Sequence, residues 1–197
     1  MDNIQKTDKN KYLINADVYR LLSLGFSYPD TKTIEKVSDI ASGLIEQNKI
    51  DSGLVEILKK LIPEIDEDII RQEYSRVFIK GGVPITESNT TAILNSVSDV
   101  SAFYAAFGFN AKSGETPDSI MYELEFMALL AVKIAIAPTD EAMEITEDAF
   151  NKFLSEHLHD FAERFGEKIN NGDASAYYKL LTELLVTFIK METGVTG

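Results

Sequence analysis

Residues 115–132 read ETPDSIMYELEFMALLAV, which combines a helix start with a nearly unbroken apolar segment. Pro117 and Asp118 are typical of a helix N-terminus, because proline lacks an amide hydrogen that the first turn would leave unpaired and a carboxylate complements the helix dipole. A helix that is apolar nearly all round usually lies in the middle of a bundle. Glu123 and Glu125 interrupt the apolar run in its first turns. They either face water or, as carboxylates near a helix N-terminus, line a crevice or bind a partner's cation.

The rest of the chain has the same helical periodicity. Leucine, isoleucine and phenylalanine recur at spacings of three and four residues, and few segments alternate polar and apolar residues. This pattern predicts an all-α fold, a single-chain bundle of roughly nine to ten helices. Residues 80–89 and 110–118 form loops longer than most connections in bundles, and such loops often carry function. We expect helices over residues 15–26, 33–47, 52–62, 68–79 and 91–107, and from residues 117, 139 and 176 onwards.

The charge of the chain restricts its partners. Its 32 acidic and 19 basic residues give a formal net charge of −13. Nucleic acid is therefore not an expected partner, because phosphate binding depends on clustered lysine and arginine. The negative field favours basic partners such as a cationic peptide, although net charge also serves solubility alone.

The expected compartment follows from the absence of a signal peptide and of a membrane-spanning segment. The chain has no cysteine, so disulfides and cysteine-ligated metals are excluded. Its first residues, MDNIQKTDKNKYLIN, lack the apolar core of a signal peptide. Its longest apolar run, residues 126–137, is shorter than the ~20 residues that span a bilayer. We expect a folded cytoplasmic protein without membrane insertion.

Catalytic and metal-binding motifs are scarce. The two histidines, His157 and His159, lie in one short segment, and no G-x-S-x-G or phosphate-loop motif is present. One Glu-x-x-His occurs, but di-iron bundles need two copies. We predict packing or helix-surface histidines and no catalytic residue, metal or cofactor. The alternatives are a carboxylate-dependent all-α enzyme of unknown substrate and an all-α transcriptional regulator, which the charge argues against.

Four segments, RQEYSRVFIKGGVPITES, FYAAFGF, TPDSIMYELEFMALL and FLSEHLHDF, occur in the order and spacing of the TorD/DmsD/NarJ-type chaperones. The chain resembles this family over residues 12–165. Two positions depart from the family pattern: Ser119 replaces the usual histidine, and Phe161 replaces a common tryptophan. The matching residues are Glu73, Tyr74, Phe78, Pro84, Glu87, Ser88, Tyr104, Gly108, Pro117, Asp118, Glu123, Leu124, Glu125, His157 and Leu158.

The resemblance implies an N-terminal helical lobe, residues 1–110, and a C-terminal helical lobe, residues 111–197, which together form one TorD-like domain. It implies a cytoplasmic chaperone without catalytic activity, either a monomer or a domain-swapped homodimer. Such chaperones bind the twin-arginine leader, or an equivalent N-terminal segment, of an apo molybdoenzyme catalytic subunit. They hold this client until molybdopterin cofactor is inserted, before export.

The resemblance also directs attention to a crevice between the lobes. A leader has a cationic segment followed by an apolar segment, which an acidic rim beside an apolar groove complements. Core packing is the alternative for the two tyrosines, and a loop cap is the alternative for Glu87. The expected partner-binding residues are Glu115, Pro117, Asp118 and Glu123 near the crevice, with Tyr74, Glu87 and Tyr104 lining or supporting it.

Overall fold

The computed structural model describes residues 2–47, 49–91 and 93–194, with side chains from residue 9 onwards. Within these ranges the regular structure is helical, and the one sheet-like contact is an isolated antiparallel bridge between Thr86 and Ser119. The all-α prediction is confirmed. The α-helices are α1 (Asp2–Phe26), α2 (Thr31–Gln47), α3 (Ser52–Leu61), α4 (Glu67–Tyr74), α5 (Ser96–Phe107), α6 (Ile120–Ala135), α7 (Asp140–Phe153), α8 (His159–Asn171) and α9 (Ala176–Thr193).

Several helix boundaries follow from local chemistry. The Asp51 carboxylate accepts a hydrogen bond from the Gly53 amide at 2.7 Å and caps α3. The Thr139 hydroxyl accepts from the Ala142 amide at 3.2 Å and caps α7 at the predicted residue. Such caps satisfy amides that the first turn leaves unpaired. Gly108 ends α5 with a positive φ of 70°, as glycine at a helix C-terminus commonly does.

Three predicted helix starts are wrong. α1 begins at Asp2 rather than residue 15, because no proline or glycine interrupts its first turns. α5 begins at Ser96 rather than residue 91, because Asn95 adopts a left-handed conformation that a helix cannot contain. Ala92, which falls inside that predicted helix, lies outside the described residues.

The third start concerns the central helix, which begins at Ile120 rather than at residue 117. The Asp118 carboxylate accepts the amide of Ser88 at 2.9 Å, so it does not cap α6. Pro117 and Asp118 therefore belong to the preceding loop, whose position depends on a contact 30 residues away in sequence.

α6 is the centre of the fold. Its buried residues surround nearly its whole circumference, as its apolar sequence predicts. α1 and α2 pack together, α1 also lies along α6, and α3 and α8 pack against α9. The buried side chains of these helices form one continuous core. The α1–α6 contact crosses the predicted boundary between residues 1–110 and 111–197, and the two-lobe division stays a prediction.

Two π-helical turns continue α-helices of the fold. Ser75–Lys80 continues α4 towards the loop that starts at Gly81, and Leu154–Leu158 joins α7 to α8. π-turns are rare and occur frequently at functional sites. The second turn contains His157, whose side chain is buried.

Gly81 ends the first of these turns, and alanine should not fit there. An added Cβ would lie 2.8 Å from the Val77 carbonyl oxygen, closer than real Cβ contacts come to backbone. We expect Gly81→Ala to lower the free energy of unfolding by about 1–3 kcal/mol, as overpacking does. The control is Gly43→Ala in α2, where an added Cβ would meet nothing within 4 Å. That change should stabilise by about 0.5–1 kcal/mol. Urea unfolding measures both, and equal effects would contradict the prediction.

Candidate functional site

A crevice of about 650 Å³ opens where the loop before α6 meets the loop after residue 80. Residues 27–30, which follow α1, and the first turns of α6 form its other sides. Its charged lining residues are three carboxylates and one lysine, so its field is negative. Three tyrosines also line it. The residues in question are Asp30, Glu115, Glu125, Lys112, Tyr28, Tyr74 and Tyr122.

Glu115 is held in place by its neighbours in the crevice. The Tyr122 hydroxyl donates a hydrogen bond to its carboxylate at 2.7 Å, and Lys112 Nζ lies 3.7 Å from its other oxygen. Burial and then this hydrogen bond raise the pKa of Tyr122 to about 12, so the hydroxyl remains a donor. The Glu115 side chain is 37% exposed and can accept a further hydrogen bond.

Glu125 also lines the crevice and lies about one turn after Tyr122 on α6. It forms an ion pair with Arg20 of α1, and the two side chains are 36% and 40% exposed. The carboxylate is therefore partly neutralised by a cation of the chain itself. An exposed pair of this kind contributes only about 0–1 kcal/mol, so another cation can replace Arg20 at small cost.

Tyr74 both packs in the core and lines the crevice, the two roles that the sequence left open. Its ring is 8% exposed and packs edge-on against Tyr28 at 5.5 Å and beside Phe78 at 5.1 Å, between ring centroids. It also lines the crevice. Burial, followed by the charge of Glu115, raises its pKa. The Tyr74 and Tyr28 rings thus form an aromatic part of the crevice lining.

The inner wall of the crevice consists of two loops joined by backbone hydrogen bonds. The Glu87 amide donates to the Asp118 carbonyl at 2.8 Å, and the Ile120 amide donates to the Ile85 carbonyl at 2.8 Å. Tyr104 of α5 donates its hydroxyl hydrogen to the Pro117 carbonyl at 2.9 Å. Its burial and then nearby carboxylates raise the Tyr104 pKa, which keeps this donor protonated.

Behind this wall lies an acidic cluster formed by Glu87, Asp118 and Glu123. All three side chains are completely buried. Both carboxylate oxygens of Glu87 lie 3.2 Å from Nδ1 of His157. Neither carboxyl oxygen of Glu123 has a hydrogen-bond partner in the protein. Burial, and then the charges of Glu87 and Asp118, raise the Glu123 pKa well above its usual value, so its neutral form is favoured.

The structure separates the predicted site residues into two groups. Glu115 and Tyr74 line the crevice, while the other five lie in or behind its wall, where Glu87, Asp118 and Glu123 are closed to solvent. Contact of any of these residues with a partner stays a prediction. The wall residues are Glu87, Tyr104, Pro117, Asp118 and Glu123.

Sequence reasoning missed several crevice residues. Tyr28 and Asp30 belong to the SYPD segment, which reads only as the end of a helix. Tyr122 lies within the apolar run of α6, and periodicity does not indicate that its hydroxyl reaches Glu115. Arg20 carries no local signal, because its partner Glu125 is 105 residues away in sequence.

The packing prediction for the histidines needs one addition. His157 packs against Phe153 at 5.0 Å and Phe103 at 5.7 Å, and it also pairs with Glu87. Over the residues with described side chains, no group of three or more His, Cys, Asp or Glu could hold a metal ion. No helix in the described ranges is long and apolar enough to cross a membrane.

The model of one protein family, the nitrate reductase delta subunit, matches residues 47–167, more than half of the chain. The chain belongs to this family. The matched range includes the two interior loops, the acidic cluster and both π-turns, whereas the crevice residues Tyr28 and Asp30 precede it.

Two relatives and one solved structure agree with this membership. A perchlorate reductase assembly chaperone protein of Dechloromonas aromatica (strain RCB) is 24% identical over 94% of this chain and 90% of its own length. The chaperone protein TorD of Aliivibrio salmonicida (strain LFI1238) is 30% identical over 42% of this chain and 38% of its own length. The crystal structure of a candidate redox enzyme maturation protein from Archaeoglobus fulgidus has the same fold, with a TM-score of 0.58 and 24% identity over 89% of this chain and 93% of that one. The resemblance to the TorD/DmsD/NarJ-type chaperones is confirmed.

Proposed function

We propose that this delta subunit family member is a cytoplasmic assembly chaperone that binds the cationic N-terminal leader of a molybdenum-containing oxidoreductase subunit. The single observation that carries the proposal is the acidic, tyrosine-lined crevice between the two interior loops. The names of the relatives, a perchlorate reductase assembly chaperone and TorD, support an assembly role.

The chemistry of the crevice suits arginine in particular. A guanidinium group donates two parallel hydrogen bonds to a carboxylate, such as Glu115, and stacks on an aromatic face, such as Tyr28. Tyr28 is 54% exposed, so its ring is open to such stacking. Lysine would form only the charge contact.

The energetics require a second contribution to binding. Exposed ion pairs contribute about 0–1 kcal/mol each, so two or three of them give only weak affinity. Burial of apolar side chains contributes about 25 cal/mol per Å². The apolar part of the leader must therefore supply much of the affinity, and the charges provide orientation and specificity.

Leader binding has a clear consequence for assembly. A subunit whose N-terminus is held by the chaperone is kept from export while it remains an apo form. The client, not the chaperone, then receives the molybdopterin cofactor. Release after insertion would free the leader for export.

The alternative function, carboxylate-dependent catalysis, is not supported by Glu123. It requires a carboxyl with a raised pKa that a substrate can reach. Burial raises the pKa of Glu123, but this side chain is completely buried and does not line the crevice.

Isothermal titration with the N-terminal peptide of the molybdoenzyme encoded nearest to this chain tests the proposal. We expect a copy with both arginines replaced by glutamine to bind up to about tenfold more weakly, from the loss of two cationic contacts. Glu115→Gln should weaken the native peptide several-fold, and added salt should weaken it further. The matched control is Glu144→Gln, an exposed residue of α7 outside the crevice. Equal binding of the two peptides would refute the crevice as the leader site.

A further inference from the structure

A second depression adjoins the crevice on the far side of Glu125. This groove has a volume of about 340 Å³ and lies between α1 and α6. Glu125 lines both the crevice and the groove, so the two depressions adjoin at this residue. The remaining groove residues are mainly apolar: Ala16, Asp17, Arg20, Phe109, Ala128, Leu129 and Val132.

Helical spacing extends the groove into a longer apolar stripe. On α6, positions 125, 129 and 132 share one face, and Ile136 continues that face directly after the helix. On α1, Ala16 and Arg20 share a face with Leu13. Ile136 is 68% exposed and Leu13 is 43% exposed, so both side chains add apolar surface at the ends of these faces.

The acidic and apolar parts meet at one ion pair. Arg20 and Glu125 both line the groove at its crevice end and bind each other there. Arg20 thus occupies a carboxylate that faces a crevice with two further acids, Asp30 and Glu115. A cation of the chain itself is placed where an incoming cation would bind.

We propose that the crevice and the groove are one binding surface for a segment whose cationic residues are followed closely by an apolar stretch. The cationic residues occupy the crevice, the apolar stretch lies in the groove between α1 and α6, and an incoming arginine displaces Arg20 from Glu125. This inference rests on the proposed leader binding. It adds the site of the apolar stretch and a competing cation that discriminates against segments with either feature alone.

The length of the stripe limits the segment. Residues 125–136 of α6 and its end span about 16 Å, at 1.5 Å per helical residue. An extended peptide covers that distance with about five residues, and a helical peptide with about eleven. Because the stripe starts at Glu125, which also lines the crevice, the apolar stretch must begin within a few residues of the cationic pair.

Four peptides and three variants test the inference by fluorescence polarisation. The peptides are the client leader, a copy with the apolar stretch replaced by serine and glycine, a copy with glutamine for arginine, and a copy with eight glycine-serine residues inserted between the two parts. The groove variant is Leu129→Ser with Val132→Ser, and the cation variant is Arg20→Gln. The control is Ile145→Ser, an apolar residue of α7 that is 59% exposed and outside the groove.

We expect the groove variant to bind the leader about tenfold more weakly, yet to bind the peptide without an apolar stretch as the wild type does. Arg20→Gln should bind the leader several-fold more tightly, because the competitor is removed. The inserted spacer should weaken binding, and Ile145→Ser should change nothing. Circular dichroism confirms that each variant is folded, and Arg20→Gln carries the test if the groove variant is not.

The possible failures can be distinguished. If the leader binds through its arginines but neither the groove variant nor the spacer weakens it, the groove is refuted and the proposed leader binding stands. If Arg20→Gln weakens binding, the competing cation is refuted. If the wild type binds none of the peptides, the proposed function fails and this inference fails with it.

Discussion

We expect Glu87→Ala to lower the free energy of unfolding by about 3–5 kcal/mol, because it removes a completely buried side chain and leaves a buried ring nitrogen without its partner. The Glu87 carboxylate lies 3.2 Å from His157 Nδ1, and both side chains are closed to solvent. Without Glu87, the ring nitrogen has no acceptor and a cavity remains. Little charge repulsion is relieved, because burial favours the neutral form of the nearby Glu123.

Urea unfolding at constant pH measures this effect. Glu87→Gln keeps an acceptor oxygen and nearly the same volume, so its cost should be clearly smaller. Glu144→Ala is the control for loss of an exposed glutamate and should stay within about 0.5 kcal/mol of the wild type. A double-mutant cycle with His157→Ala should show a coupling of about 0.5–3 kcal/mol. Additive effects would mean that the pair does not stabilise the fold.

The fold was predictable from sequence because its main signals are local. The apolar run of α6 and the caps at Asp51 and Thr139 act within one or two helical turns. The wrong starts of α5 and α6 have a different origin. Asn95 is left-handed, and Asp118 binds the amide of Ser88, 30 residues away. Helical periodicity indicates neither a left-handed backbone at a single residue nor a hydrogen bond between residues far apart in sequence.

The candidate site was predictable in part, from the family motif and the residue beside it. Glu115 adjoins that motif and Tyr74 belongs to it, and both line the crevice. The pairing of Glu87 with His157 joins residues 70 positions apart, and no local pattern connects them. The burial of Glu123 could not be predicted either, because its helical position is equally compatible with an exposed carboxylate.

The buried carboxyl of Glu123 should make the stability of this protein depend on pH. The groups that face it are Glu87, Asp118 and Tyr104, and Glu87 is in turn paired with His157. Burial and the two carboxylates raise the folded-state pKa of Glu123 well above its ordinary value of 4.5. The folded protein therefore keeps a proton that the unfolded chain releases.

The sign of the effect follows from this difference in bound protons. Below about pH 4.5 both states carry the proton, and the contribution of Glu123 to stability is fully present. As the pH rises, the unfolded state binds fewer protons, and the free energy of unfolding falls by up to about 1.4 kcal/mol per pH unit. The fall ends once the pH passes the raised pKa of the folded state.

Glu123→Gln isolates this contribution, because glutamine has the same shape and no titratable proton. We expect the variant to be close to the wild type near pH 5 and progressively more stable than it towards pH 8, as measured by urea unfolding at each pH. Other buried carboxyls contribute equally to the pH dependence of both proteins, so their contributions cancel in the comparison. Glu192, whose pKa burial also raises, is one of them. Parallel pH curves for the two proteins would show that Glu123 is ionised in the folded state. The folded protein would then hold a buried Glu123 carboxylate whose two oxygens accept no hydrogen bond from the described side chains.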